Sequence, residues 1–350
     1  MANTETTNAV KKPRRIGRKI LKFFGILLLL LIIAIAILAV RHHFKCKSDR
    51  KLFADAYGEY FVNSRGEKMN YTFYDSKSED VAVIIPGYGC PTVHYEFDAF
   101  ADKLRDDYKL ILAEPFGVGL SDGTDRERTV ENYCEELHEL MEYLGYDRYT
   151  IIGHSLAGLY SLYYANTYTD EVEAFIGIDA SVPHQSDIAP WIAKADNTRK
   201  MYKIINVAYV KSGIERLLYE LSFDQTMKQI PTLTDADREK VLAMYCTASL
   251  TDTQMNEIDK MPDNMKKCYD MKFPVEVPVL YVLAKSNCDN MPKWEDIHKD
   301  LVTNIRSKVS VIEGEHYLHF TNLDGLVSEI ENWKDTLNEN NAPTEVDEAA

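Results

Sequence analysis

Ser155 closes a stretch that could carry covalent chemistry. Tyr149-Thr150-Ile151-Ile152-Gly153-His154-Ser155-Leu156-Ala157-Gly158 reads as a strand, a sharp turn and the start of a helix, with the serine at the turn. Small neighbours let the backbone turn that tightly and lift a hydroxyl into the open. A serine hydroxyl is a poor nucleophile at neutral pH and needs a positioned base. His316, in Gly314-Glu315-His316 just past the last predicted strand, stands where a loop can swing an imidazole over the turn. His319, three residues later, is its rival. His42, His43, His94, His138, His154, His184 and His298 have no comparable placement. The six cysteines form no C-x-x-C pair, so neither a metal site nor a redox motif is expected. Cys90 has no sharp turn of its own and reads as a packing residue.

The elements that must hold these groups alternate. Tyr60-Phe61-Val62 and Tyr71-Thr72-Phe73-Tyr74 flank Asn63-Ser64-Arg65-Gly66 as a hairpin. Lys308-Val309-Ser310-Val311-Ile312 reads as a further strand, and apolar runs lie at Val81–Ile85, Leu110–Ala113, the strand before Ser155, Ala174–Ile178 and Pro278–Leu283. Such runs mark strands buried on both faces, and the helical patterns between them predict a mostly parallel central sheet with helices on both sides. The alternation breaks between Ala180 and Val277, where helical patterns cover Ile192 to Val207, Gly213 to Leu221, a stretch from Thr234, and Leu250 to Met261. This is the pattern of a helical cap inserted into the sheet domain. Its aromatic and methionine residues, among them Trp191, Met201, Tyr202, Tyr209, Tyr219, Met244 and Tyr245, supply the cap's core and candidate pocket walls.

Phe23 to Val40 is an uninterrupted apolar run of 18 residues, just long enough to span a bilayer core. Its length and leucine content predict an uncleaved anchor rather than a signal peptide. Lys11, Lys12, Arg14, Arg15, Arg18, Lys19 and Lys22 precede it, and Arg41, Lys45, Lys47, Arg50 and Lys51 follow. The excess on the N-terminal side puts the N-terminus in the cytoplasm and the rest of this single-pass protein outside the cell membrane. The formal net charge is −15 despite this basic start, which argues against a nucleic-acid partner. Asn70-Tyr71-Thr72 matches a glycosylation sequon, a pattern common by chance.

The order of strand, glycine-rich turn, serine elbow, helical insertion and late histidine resembles the α/β-hydrolase fold superfamily, over roughly Tyr57 to Trp333. Gly153-His154-Ser155-Leu156-Ala157 departs from G-x-S-x-G only at Ala157, which is still small. The resemblance implies that Ser155 is the nucleophile and His316 its base. The acid that orients the histidine has two candidates. Asp289 lies in the loop after the Pro278–Leu283 strand, where most of the superfamily carries it, although Asn287 stands where the acid would fall. Asp179, in Gly177-Ile178-Asp179-Ala180-Ser181, resembles the acid of pancreatic-type lipases. Asp179 is preferred, with Asp289 the alternative. The oxyanion donors implied are the backbone amides of Leu156 and of Tyr88, in a turn whose Pro86 replaces the superfamily's histidine. Glu114-Pro115-Phe116-Gly117-Val118-Gly119-Leu120-Ser121-Asp122 resembles the superfamily's D-x-x-G-x-G-x-S loop, with Glu114 an unusual replacement.

The organisation expected is therefore a basic cytoplasmic segment (1–22), a transmembrane anchor (23–40), a juxtamembrane linker (41–56), an α/β-hydrolase core (57–179 and 278–337), a helical cap (180–277) and a disordered acidic tail (338–350). The function expected is a membrane-anchored serine hydrolase that cleaves an ester-type or amide bond of a small acyl or peptide substrate, with no cofactor or metal. Two alternatives stand beside it: an aminopeptidase of the prolyl-aminopeptidase type, and a catalytically silent hydrolase fold used for binding.

Overall fold

The computed structural model describes residues 14–189, 195–226, 228, 230, 233–248 and 250–339. Eight strands form one sheet: β1 (Glu59–Val62), β2 (Lys68–Tyr74), β3 (Val81–Ile85), β4 (Lys109–Glu114), β5 (Tyr149–His154), β6 (Val172–Ile178), β7 (Val279–Ala284) and β8 (Lys308–Ile312). Their order is β1-β2-β4-β3-β5-β6-β7-β8. The β1–β2 and β2–β4 pairs are antiparallel, and every later pair is parallel. All eight correspond to runs read from the sequence.

The sheet separates two cores, and β3 shows how alternation builds them. Val81, Val83 and Ile85 face one core, whereas Ala82 and Ile84 face the other. The first core is closed by α3 (Val130–Leu144) and α4 (Ala157–Thr167), through residues such as Leu140, Met141, Leu159 and Leu162. The second is closed by α2 (Val93–Leu104) and the last helix (Leu323–Glu339), through Phe97, Phe100, Leu326, Ile330 and Trp333. A strand whose alternate residues both meet a helix layer must be apolar throughout, which is why these strands were continuous runs.

Between β6 and β7 lie α5 (Ala195–Ile205), continued by a π-helical turn Asn206–Val210, then α6 (Ile214–Thr226), α7 (Asp235–Ala248) and α8 (Asp252–Lys267). Trp191, expected among the aromatics of this insertion, lies outside the described residues. The α8 helix runs beyond the expected end at Met261 and passes through Pro262. A third apolar cluster joins Phe223, Val241 and Met244 of the insertion to Tyr95 of α2 and to Phe53.

Phe53 ends the N-terminal helix, α1 (Arg14–Phe53). The stretch expected as a linker, 41–56, is thus helical through Phe53 and continuous with the apolar run. It is also packed. Arg216 of α6, only 2% exposed, donates to Asp49 Oδ2 at 2.6 Å and to His42 Nδ1 at 3.1 Å. Arg41 forms a forked pair with Glu220 at 2.7 and 2.8 Å. Gly213 lies so close that a Cβ there would come within 2.7 Å of the Leu38 carbonyl. Periodicity reports a helix face but not its partner, so this contact had no local signal. The helix end at Glu339 also shortens the tail expected from 338, whose residues 340–350 lie outside the described set.

Candidate active site

β5 ends at His154, and Ser155 follows with φ +51°, in the left-handed region that a residue with a Cβ rarely occupies. Such a conformation costs about 1–3 kcal/mol and persists only where its surroundings hold it. The bracing is visible on both sides. Ser155 N–H donates to the Ile178 carbonyl at 3.2 Å, and Ser181 N–H donates to the Ser155 carbonyl at 2.6 Å. The turn has no room for larger neighbours. A Cβ on Gly158 would sit 2.6 Å from Ala180 Cβ, and one on Gly87 would sit 2.8 Å from Ser155 Cβ. A Cβ on Gly153 would meet Ala157 Cβ at 3.2 Å, so alanine at the fifth motif position is accommodated.

Over this turn comes His316, in the loop that follows β8. Its Nε2 lies 2.9 Å from Ser155 Oγ, and its Nδ1 lies 2.7 Å from Asp179 Oδ2. With its proton on Nδ1 and shared with the carboxylate, the imidazole leaves Nε2 free to accept the serine hydroxyl. The loop is held by Gly314, at φ +141°, and by His154 Nε2, 3.2 Å from the His316 carbonyl oxygen.

Asp179 follows β6 and is fully buried, at φ +40°. Its Oδ1 accepts from the Ala284 amide at 3.0 Å and from the Trp294 indole at 3.2 Å. Its Oδ2 accepts from His316 and from the Asn287 side-chain amide. The β6–β7 register, which pairs Ile178 with Val282, brings these loops side by side. Asp289 is elsewhere: it lies in the short helix Lys285–Asn290, its side chain 62% exposed, and pairs with Lys285 at 2.5 Å. The structure thus brings together Ser155, His316 and Asp179, and leaves Asp289 outside. Asn287, which occupies the place where the acid was sought, reaches Asp179 instead. Neither it nor Trp294 carried a sequence signal as a supporting donor.

His319 is not at the turn. It is buried, stacked on Phe97 with ring centroids 4.3 Å apart, and burial beside His316 pushes its pKa down to about 3. His154 is likewise buried and held well below the usual imidazole range, by burial and by its two histidine neighbours. Cys90 is pushed well above the usual thiol range by burial and by Glu96, so it is not a thiolate nucleophile at neutral pH. Glu114 braces the scaffold: it accepts from Tyr57 Oη at 2.7 Å, Val93 N at 2.9 Å and Leu120 N at 2.6 Å. Its extra methylene fits because Gly119 has no Cβ, which would lie 1.9 Å from Glu114 Oε2. The sequon residue Asn70 is fully buried on β2 and is closed to a glycan.

Ser155 opens into a cavity of about 210 Å³. The turn with Gly87, Tyr88 and Gly89 forms one wall, and Leu156 opens the path into α4 directly after the serine. Glu96, Tyr219, Tyr245, Tyr317 and Phe320 also line it. They come from α2, two helices of the insertion and the loop after β8; Tyr219 and Tyr245 were among the aromatics expected as pocket walls, whereas Glu96, Tyr317 and Phe320 carried no such expectation. Among the described residues, no cluster of three or more His, Cys, Asp or Glu side chains could hold a metal ion.

Sheet order, the strand-turn-helix at Ser155 and the insertion after β6 define the architecture: this chain has the α/β-hydrolase fold. Residues 82–203 match the family model described as alpha/beta hydrolase fold. An uncharacterised protein of Bacillus subtilis, YbdG, is 22% identical over 79% of this chain and 83% of its own length. An epoxide hydrolase of Bacillus megaterium superposes with a TM-score of 0.61 at 16% identity, over 79% of this chain and all of that one. A thermophilic esterase from Thermogutta terrifontis superposes with a TM-score of 0.56 at 16% identity, over 80% of this chain and 99% of its own.

Proposed function

We propose that the protein is a membrane-anchored serine hydrolase acting on an ester-type or amide bond through an acyl-enzyme. The observation that carries this reading is the continuous relay from Ser155 Oγ to His316 Nε2, 2.9 Å, and from His316 Nδ1 to Asp179 Oδ2, 2.7 Å. Ser155 Oγ attacks the carbonyl carbon while His316 Nε2 takes its proton. Asp179 keeps the other imidazole proton on Nδ1 and stabilises the imidazolium. The amides of Tyr88 and Leu156 receive the negative charge on the carbonyl oxygen. His316 returns the proton to the leaving group, and the acyl group stays on Ser155. A water, deprotonated by the same imidazole, then releases the acid.

Serine at the elbow favours this route over epoxide opening, which needs a carboxylate nucleophile there. The anchor reading rests on α1, in which an 18-residue window reaches a mean hydropathy of 3.3 and none of the window is buried. Its flanking charges favour an external hydrolase domain. The test is labelling of the detergent-solubilised full chain with a fluorophosphonate probe. Wild type is expected to label and Ser155→Ala to stay unlabelled. A folded wild type that stays unlabelled, or equal labelling of both, refutes the reading.

A further inference from the structure

Glu96 is a buried carboxyl group facing the Ser155 cavity without a cationic partner. It is 7% exposed, and its Oε1 accepts from Tyr245 Oη at 2.6 Å while Oε2 accepts from Cys90 Sγ at 3.3 Å. Both donors are neutral. Among the described residues, no Lys, Arg or His nitrogen lies within 4.0 Å of it. A buried carboxylate is unfavourable unless a positive charge or several donors meet it. Burial accordingly pushes Glu96 up to about 7.

The same cavity is walled by Tyr219, Tyr245, Tyr317 and Phe320, and Tyr219 packs edge-on against Tyr245 at 5.5 Å. Aromatic faces attract cations, more strongly where water is excluded. A carboxyl group and aromatic rings lining one cavity therefore prefer one kind of guest. Ser155 and the Gly87–Gly89 turn line the same cavity. The cavity, about 210 Å³, is below the roughly 300 Å³ where drug-sized pockets begin, which favours a short guest.

We infer that the substrate of the Ser155 site carries a cationic nitrogen a few bonds from its scissile carbonyl, bound between Glu96 and the tyrosine rings. The inference rests on the serine-hydrolase reading and adds the substrate class: short amino esters or amino amides. The guest supplies the positive partner that none of the described residues provides. It also draws Glu96 into its ionised form, because a charge brought within contact of a carboxyl favours the carboxylate.

The test is competition against fluorophosphonate labelling of Ser155 in the full chain in detergent, with n-butylammonium and its uncharged counterpart n-butanol as probes. In wild type, butylammonium is expected to protect at about tenfold lower concentration than butanol, about 1.4 kcal/mol by the equivalence of a decade in affinity. In Glu96→Gln the two are expected to protect equally, and Glu96→Asp keeps part of the preference. The readout is the ratio of the two competitors within each protein, so altered Ser155 reactivity in a variant cancels. Equal protection in labelled wild type overturns the inference and leaves the nucleophile intact. A preference that survives Glu96→Gln overturns it too. An unlabelled wild type strikes instead at the serine-hydrolase reading beneath it.

Discussion

The loops after β6 and β7 each carry an aspartate within one sheet edge of the same histidine, yet only one meets it. Asp179 is fully buried and accepts from two side chains and a backbone amide besides His316. Asp289 is turned outward on a short helix and pairs with Lys285. Which carboxylate meets the histidine follows less from the loop that offers it than from the donors gathered to receive its charge. Asn287 and Trp294, both from the β7 side, converge on an acid supplied by β6. The β7 side supplies donors, and the β6 side supplies the charge.

The sharpest way to break this comparison is to remove one acid at a time. Asp179→Asn is expected to lower kcat by three to four orders of magnitude, roughly the loss when a triad acid becomes an amide and the imidazole takes the wrong tautomer. Asp289→Asn is expected to stay within about twofold, as for an exposed pair worth about 1 kcal/mol or less. Ester turnover by the two variants checks this, and the reverse order would transfer the role to Asp289.

Restoring the acid from the other loop sharpens it further. In Asp179→Asn, the added change Asn287→Asp places a carboxylate beside His316 from the β7 side, and a gain of about tenfold over the single variant is expected. No gain would mean that the β6 backbone, not the neighbouring donors, sets the geometry.

A smaller effect is expected from the supporting donor. Trp294→Phe removes one hydrogen bond to a buried carboxylate, worth about 1.5–3 kcal/mol to a charged group. Its kcat is expected to fall about tenfold, with KM little changed, and steady-state kinetics on a small ester decide it.

The smallest effect extends the contrast to a third carboxyl group. Among the described residues Glu96 has only neutral donors, and its pKa rises to about 7 from a usual value of 4.5. The folded chain therefore holds a proton at pH values where the unfolded chain has released it. This contribution to stability is full below about 4.5 and is lost as pH rises through about 7. Glu96→Gln is expected to flatten the fall in Tm between pH 5 and 8 by a few degrees, on the order of 2–4 °C per kcal/mol in a domain of this size. An unchanged slope would mean that Glu96 ionises normally.

The sequence by itself determined the eight strands, the turn at Ser155 and the loop position of His316. These follow from local rules: a strand buried on both faces must be apolar throughout, and a tight turn must have small residues around it. The helical insertion was legible for the same reason, because its alternation breaks over a long stretch. Three matters were decided only by the tertiary structure. The β6–β7 register chose Asp179 over Asp289 by bringing Asn287, Trp294 and the Ala284 amide to one point. The stretch expected as a linker is a helix continuous with the apolar run, and Arg216 packs on its Asp49. The cavity wall joined Glu96 to tyrosines more than a hundred residues away. Each depends on side chains distant in sequence meeting in space. Local propensity carries no record of such meetings, because the energy of burying a charge is set by whatever else arrives there.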